Sequence, residues 1–150
     1  MANFSAIVLD YCARQKVGGT HLKLNVFKQL PVLPPPAYET HDAAAFIQCR
    51  VLELTYTARS MAPFARDQGY AGPPFAWDEE DRLRRRARLD AVFFHLYGLN
   101  RDDAEYILST FPIVKREEEQ RYDGRFRSRD LILAYMAALA AGAPDARVAG

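Results

Sequence analysis

Lysine is scarce in this chain: of its 20 basic residues only 4 are Lys and 16 are Arg. Against 19 acidic residues they leave a formal net charge of +1. No overall field therefore draws the protein to a polyanion, and any attraction for nucleic acid has to come from local patches. Cysteine is nearly missing as well. Cys12 and Cys49 each lie in an apolar helical pattern, where a free thiol behaves as a small buried hydrophobe, and with no secretory signal a disulfide is not expected. His21, His41 and His95 are scattered, and neither His nor Cys shows paired ligand spacing, so no metal is expected. No run of about 18 apolar residues could span a bilayer, and the first residues lack the basic-then-apolar pattern of an export signal. A soluble, cytoplasmic protein with no membrane partner is the expectation.

What is present is a chain of 150 residues, 49% hydrophobic, enough for one domain with its own core. From Asn3 to Gln15, Phe4, Ile7, Val8, Tyr11 and Cys12 recur at three and four residues and predict a helix with one buried face, stopped by Gly18 and Gly19. Leu22, Leu24 and Val26 alternate with polar residues and predict a short strand, followed by a turn of helix. Pro31, Pro34, Pro35 and Pro36 cannot donate backbone hydrogen bonds and predict an extended crossing.

Asp42 is placed to cap a helix reaching about Met61, with Phe46, Ile47, Val51, Leu54 and Ala58 on its inner face. Residues 63–74 have loop composition, yet Phe64, Tyr70 and Phe75 predict that the loop is pinned to the core. Trp77 and the acids at 78–81 mark the start of a helix running to Tyr97 and ended by Gly98. Asn100 with Asp103 opens a short helix, a polar helix over Val114–Tyr122 is a further candidate, and Ser128 is placed to cap a last helix from Arg129 to about Ala141. The sum is a mainly α chain, a single helical domain of about five to six helices with at most a small strand element near the N-terminus. The expected core includes Phe46, Leu54, Leu89, Phe93, Leu96, Ile107 and Leu131. The aromatic stripe Phe93, Phe94, Tyr97, Tyr106, Phe111 and Tyr135 reads as packing rather than as a base-stacking platform.

Catalytic signatures are missing. Gly18-Gly19-Thr20 has neither the longer glycine frame of a phosphate-binding loop nor the Lys-Ser/Thr that follows it, and it reads first as a helix stop and turn. A backbone contact with DNA through Lys16, Thr20, His21 and Lys23 stays open. His95, between Phe94 and Leu96 near a helix end, reads as a structural histidine, and Glu117-Glu118-Glu119 as a solvated face. No Ser-His-Asp, glycine-elbow or kinase pattern accompanies them. No catalytic residue and no cofactor are assigned to the chain.

Two arginine clusters remain. Arg82, Arg84, Arg85, Arg86 and Arg88 are spread around a helix by its own spacing, so pairing with nearby acids is the first reading and phosphate contact the second. Arg125, Arg127 and Arg129, beside Arg121, fit a loop-steadying role and a phosphate contact equally well. The candidate DNA-binding set is Lys16, Thr20, His21, Lys23, Arg84, Arg85, Arg88, Arg125 and Arg127.

The stretch "VLDYCARQKVGGTHLKLNVFKQLPVLPP", together with "LDAVFFHLYGL" and "YILSTFPIVKR", resembles the end of the target-recognition region and the helical tail of large N6-adenine DNA methyltransferases of restriction-modification systems. The type IIG-like and helicase-linked enzymes resemble it most, over nearly the whole chain. The resemblance implies a region 1–36 closing a target-recognition-like part and a helical region 37–142, and beyond the helix stop at Gly142 residues 143–150 read as a frayed tail. It also implies that Lys16, Gly18, Gly19, Thr20 and His21 form a turn ending the recognition region. Such enzymes bind S-adenosylmethionine in an upstream Rossmann-like domain and hold the flipped adenine with an Asn-Pro-Pro-Tyr type motif, and this chain has neither that motif nor a glycine-rich cofactor strand. The implied role is thus that of a non-catalytic DNA-recognition or structural accessory domain. Its implied partners are double-stranded DNA and the catalytic portion of the parent enzyme. A protein docking module without DNA affinity is the alternative.

Overall fold

A computed structural model describes residues 2–19, 21–39, 43–143 and 148. Eight α-helices account for most of them: α1 Ile7–Lys16, α2 Leu24–Phe27, α3 Ala43–Thr55, α4 Ala62–Asp67, α5 Glu79–Leu96, α6 Arg101–Ser109, α7 Pro112–Arg121 and α8 Arg127–Ala140. The six helices expected from the sequence are all present, the expected turn of helix appears as α2, moved onto the residues expected as a strand, and α4 is added. Among the described residues there is no strand. The alternation around Leu22–Val26 has no partner strand to hydrogen-bond with, so the backbone closes its own bonds, with Phe27 N donating to the Lys23 carbonyl in a single helical turn. The 63–74 stretch likewise holds α4 rather than only loop.

α5 is the axis of the fold. Asp78 caps it by accepting from the Asp81 amide at 2.7 Å, and three acids occupy its first turn, where the helix dipole favours them. Trp77 lies just outside, and its partner one turn in is not apolar: the Arg82 guanidinium sits 3.7 Å above its ring. The inner face of α5 packs along α8 and carries Leu83, Ala87, Ala91 and Phe94 into the main core with Val8, Ala104, Ile107, Leu108, Phe111, Leu131 and Ile132. Its other side carries Val92 and Phe93 against Ala6, Ala43 and Ile47. Val8 ties region 1–36 into the same core as the rest.

The sequence-based inner faces need three corrections. Phe4 is exposed while Leu9 is buried, because a 3-10 turn over Ala2–Ser5 breaks the register before α1 begins. Ala58 is exposed because α3 stops at Thr55. Tyr106 is exposed although the aromatic stripe includes it, since Ala104, Ile107 and Leu108 form the buried face of α6. Phe64, Tyr70 and Phe75 are pinned as expected: they pack on Leu52, Tyr56 and Ala65, and the Phe75 amide donates to the Tyr56 carbonyl at 2.9 Å. Asn100 and Asp103 cap each other's amides, both at 3.0 Å. α8 begins at Arg127, one residue before the expected Ser128 cap, and Ser128 is instead held from α7: Glu118 accepts from both its amide, at 2.7 Å, and its hydroxyl. Glu118 is therefore engaged rather than solvated. The expected caps Asp42 and the turn residue Thr20 lie outside the described residues, as do His41 and most of the tail. Val148 is described, and its carbonyl accepts from Arg84 Nη1 at 2.9 Å.

Candidate nucleic-acid interface

The structure divides the candidate basic residues into two kinds. Arg127, at the first position of α8, faces α5 and grips Glu80 with both arms, Nη1 to Oε2 at 2.7 Å and Nη2 to Oε1 at 2.6 Å. Its side chain is 13% exposed. The hydrogen bond from Arg127 holds the Glu80 carboxyl below the usual carboxylate range. Arg84, one turn along from Glu80, shares that carboxylate at 3.1 Å. Arg85 reaches Asp81 at 2.6 Å and Glu53 of α3, and Glu53 also pairs with Arg50 at 2.9 Å. Two arginines and two carboxylates thus close a neutral cluster between α3 and α5. Arg88 is half-buried, with its guanidinium 5.3 Å from the Phe46 ring centre and 5.4 Å from that of Tyr135. Arg82 completes the seam by donating to the Leu54 carbonyl at 2.9 Å, a group in the last turn of α3 with no helical partner of its own.

Arg125 is exposed and reaches Asp130 only at 3.8 Å, while Arg129 pairs with the same carboxylate at 2.8 Å. Arg121 reaches back to Glu79 at 3.0 Å. Apart from Glu53 of α3, the acids spent on these arginines come from the first turns of α5 and α8, so much of the charge that looks most basic in sequence is paired in space.

The N-terminal segment behaves differently. Between Asp10 and Glu39 the chain carries no acidic residue, yet it carries Arg14, Lys16, Lys23 and Lys28. Arg14 pairs with Asp10 at 3.0 Å. Lys16 ends α1, Lys23 immediately precedes α2 and Lys28 immediately follows it, and all three are exposed. None of these three makes an ion pair among the described residues. His21 is exposed beside them. Lys28 was missed in the candidate set; the signal that finds it is the acid-free run rather than any local cluster of bases.

The same segment is apolar at its surface. Leu22, Leu24, Phe27 and Val32 are exposed, Leu24 by 67%, and Phe27 stacks on Phe4 with ring centres 5.2 Å apart. Tyr97 anchors the segment from below: its hydroxyl donates to the Pro31 carbonyl at 2.8 Å and receives the Asn3 side-chain amide at 3.2 Å. Gly18 and Gly19 have no left-handed backbone and no neighbour near where a side chain would stand. The chain leaves α1 through an extended Val17, so the glycine pair is neither a left-handed helix stop nor a tight cradle. Of the cysteines, Cys12 is half-buried and Cys49 exposed, the latter against expectation because it lies on the outer face of α3; both are free thiols.

Fold and charge together define a helical domain in which Arg85 and Arg127 are struts between helices, while Lys16, Lys23 and Lys28, without ion pairs among the described residues, share one N-terminal segment with the exposed Leu22, Leu24, Phe27 and Val32. Comparison with protein-family models, with curated proteins and with solved structures returned no match. No helix among the described residues is long and apolar enough to cross a membrane.

Proposed function

We propose that this chain is a non-catalytic accessory domain of a restriction-modification N6-adenine DNA methyltransferase, and that it steadies duplex DNA for a catalytic portion carried elsewhere in the parent. A base inside a duplex cannot be methylated until it is extruded, so such an enzyme needs a grip on the flanking DNA. S-adenosylmethionine belongs to the catalytic portion in this reading. The observation that carries it is the partition of charge: Lys16, Lys23 and Lys28 on an acid-free segment make no ion pair among the described residues, while Arg84, Arg85 and Arg127 are consumed by Glu80, Glu53 and Asp81. Few phosphate contacts mean weak, sequence-independent binding, with a dissociation constant of about 1 to 100 micromolar at physiological salt. Titrating the chain with labelled duplex at several salt concentrations tests it. Weak affinity that falls with salt supports the reading, and nanomolar, sequence-selective binding overturns it.

Docking on protein is the second reading, favoured by the exposed Phe4, Leu22, Leu24, Phe27 and Val32 on the same segment. Saturable binding to the catalytic portion of the parent, with no affinity for duplex, distinguishes it.

A further inference from the structure

The exposed apolar side chains of the N-terminal segment continue into a concave surface. Phe27 stacks on Phe4, and Phe4 and Val32 in turn line an open groove of about 560 Å3. Tyr38, Ile47, Val51 and Phe64 line the rest of it, from the stretch after the prolines, α3 and α4. Across the same groove the exposed Gln48 side-chain amide donates to the Gln68 side-chain oxygen at 3.0 Å, joining α3 to the end of α4. No described residue lining the groove is charged. The charge stands beside it. Lys23 and Lys28 flank α2 at its two ends, with Leu24 and Phe27 exposed between them, in the stretch 11–38 that holds no acid.

We propose that strip and groove together form a docking site for an acidic amphipathic helix of a protein partner, its apolar face in the groove and its carboxylates toward Lys23 and Lys28. The inference deepens the protein-docking reading and rests on it. Three features select that occupant. The groove is concave and receives side chains projecting from a helix, whereas a lipid surface is met by side chains that protrude. Its lining is apolar and uncharged, so it offers nothing to the phosphates of a nucleic-acid strand. The lysines set the sign: an apolar centre bordered by positive charge favours a partner whose border is negative and rejects a basic one. Lys23 and Lys28 also carry the DNA reading, so duplex and such a helix compete for them.

Fluorescence anisotropy of a labelled amphipathic peptide of about five turns, Leu on one face and Glu on the other, tests this against the same peptide with Lys in place of Glu. The Glu peptide should bind saturably and at least about tenfold more tightly than the Lys peptide, a preference that Lys23→Glu/Lys28→Glu should abolish. Phe4→Ser, where strip meets groove, should weaken the Glu peptide about tenfold and leave duplex affinity and its salt slope unchanged. Ala44→Gln, exposed on α3 and lining the groove, should weaken the Glu peptide with no change of charge, and it decides the matter if Phe4→Ser disturbs the segment. Equal binding of the two peptides overturns the acidic partner while leaving protein docking in place. A Glu-peptide affinity that neither groove variant moves overturns the proposal. Binding of neither peptide overturns it together with the docking reading, and titration with phosphatidylserine vesicles and with duplex then shows whether a lipid surface or DNA takes the patch instead.

Discussion

Arg127 and Glu80 join the first turns of α8 and α5 through two parallel hydrogen bonds, at 2.7 and 2.6 Å. A bidentate pair of this kind fixes orientation as well as distance, and it registers the two longest helices against each other at one end. Glu80 is about half exposed, which moderates the energy. Arg127→Ala should therefore destabilise the fold by about 1 to 2 kcal/mol in urea unfolding. The pair also has an acid limb. Since Arg127 depresses the Glu80 carboxyl, its contribution is present above the ordinary carboxylate range and lost as pH falls through the folded value. Stability measured downward from pH 6 should fall less steeply in the variant.

Glu118 holds the start of α8 from a neighbouring helix, accepting from the Ser128 amide and hydroxyl. Glu118→Ala should cost about 1 to 2 kcal/mol, the usual worth of a helix cap with a favourable charge at the N-terminus. Its neighbour Glu117 is exposed, and Glu117→Ala should leave the midpoint of thermal unfolding in place.

Phe93 is 2% exposed between α5 and the Ala6, Ala43 and Ile47 cluster. Phe93→Ala should cost about 3 to 5 kcal/mol in urea unfolding. A loss below about 1 kcal/mol would place the second face of α5 in solvent, against the packing described.

Gly98 adopts φ +68°, a left-handed turn that closes α5, whereas Gly18 and Gly19 do not. Gly98→Ala should cost about 1 to 2 kcal/mol. Gly18→Ala should be neutral within about 0.5 kcal/mol and should leave any DNA affinity intact, as befits a turn in open space. A large loss of DNA affinity on that change would restore the phosphate-cradle reading of the glycine pair.

Helix positions were legible because their signals are local. The Asn100–Asp103 box, the acids before α5 and Gly98 after it each act within one turn, and the structure has them all. The strand expectation at Leu22–Val26 failed because alternation describes a strand only where a second strand exists to pair with it. Pairing of the Arg82 to Arg88 cluster with nearby acids was legible, and Arg84 meets Glu80 and Arg85 meets Asp81 one turn away, but Arg127 was illegible for a related reason. Whether Arg127 meets phosphate or carboxylate depends on Glu80, 47 residues away, and no spacing rule reaches that far. Lys28 could have been found, since the absence of acids from 11–38 is written in the sequence itself.

The central claim is that lysines of the N-terminal segment, and not the arginine clusters, meet duplex DNA. Salt-dependent binding by fluorescence anisotropy, comparing Lys16→Ala/Lys23→Ala/Lys28→Ala with Arg127→Ala, tests it most directly. The account predicts that the lysine variant weakens binding to all duplexes alike and lowers the salt slope by roughly one per lost contact. Arg127→Ala should lower the melting temperature and keep the salt slope. An unchanged slope in the lysine variant, or a slope lost in Arg127→Ala at temperatures where it is folded, would contradict the account.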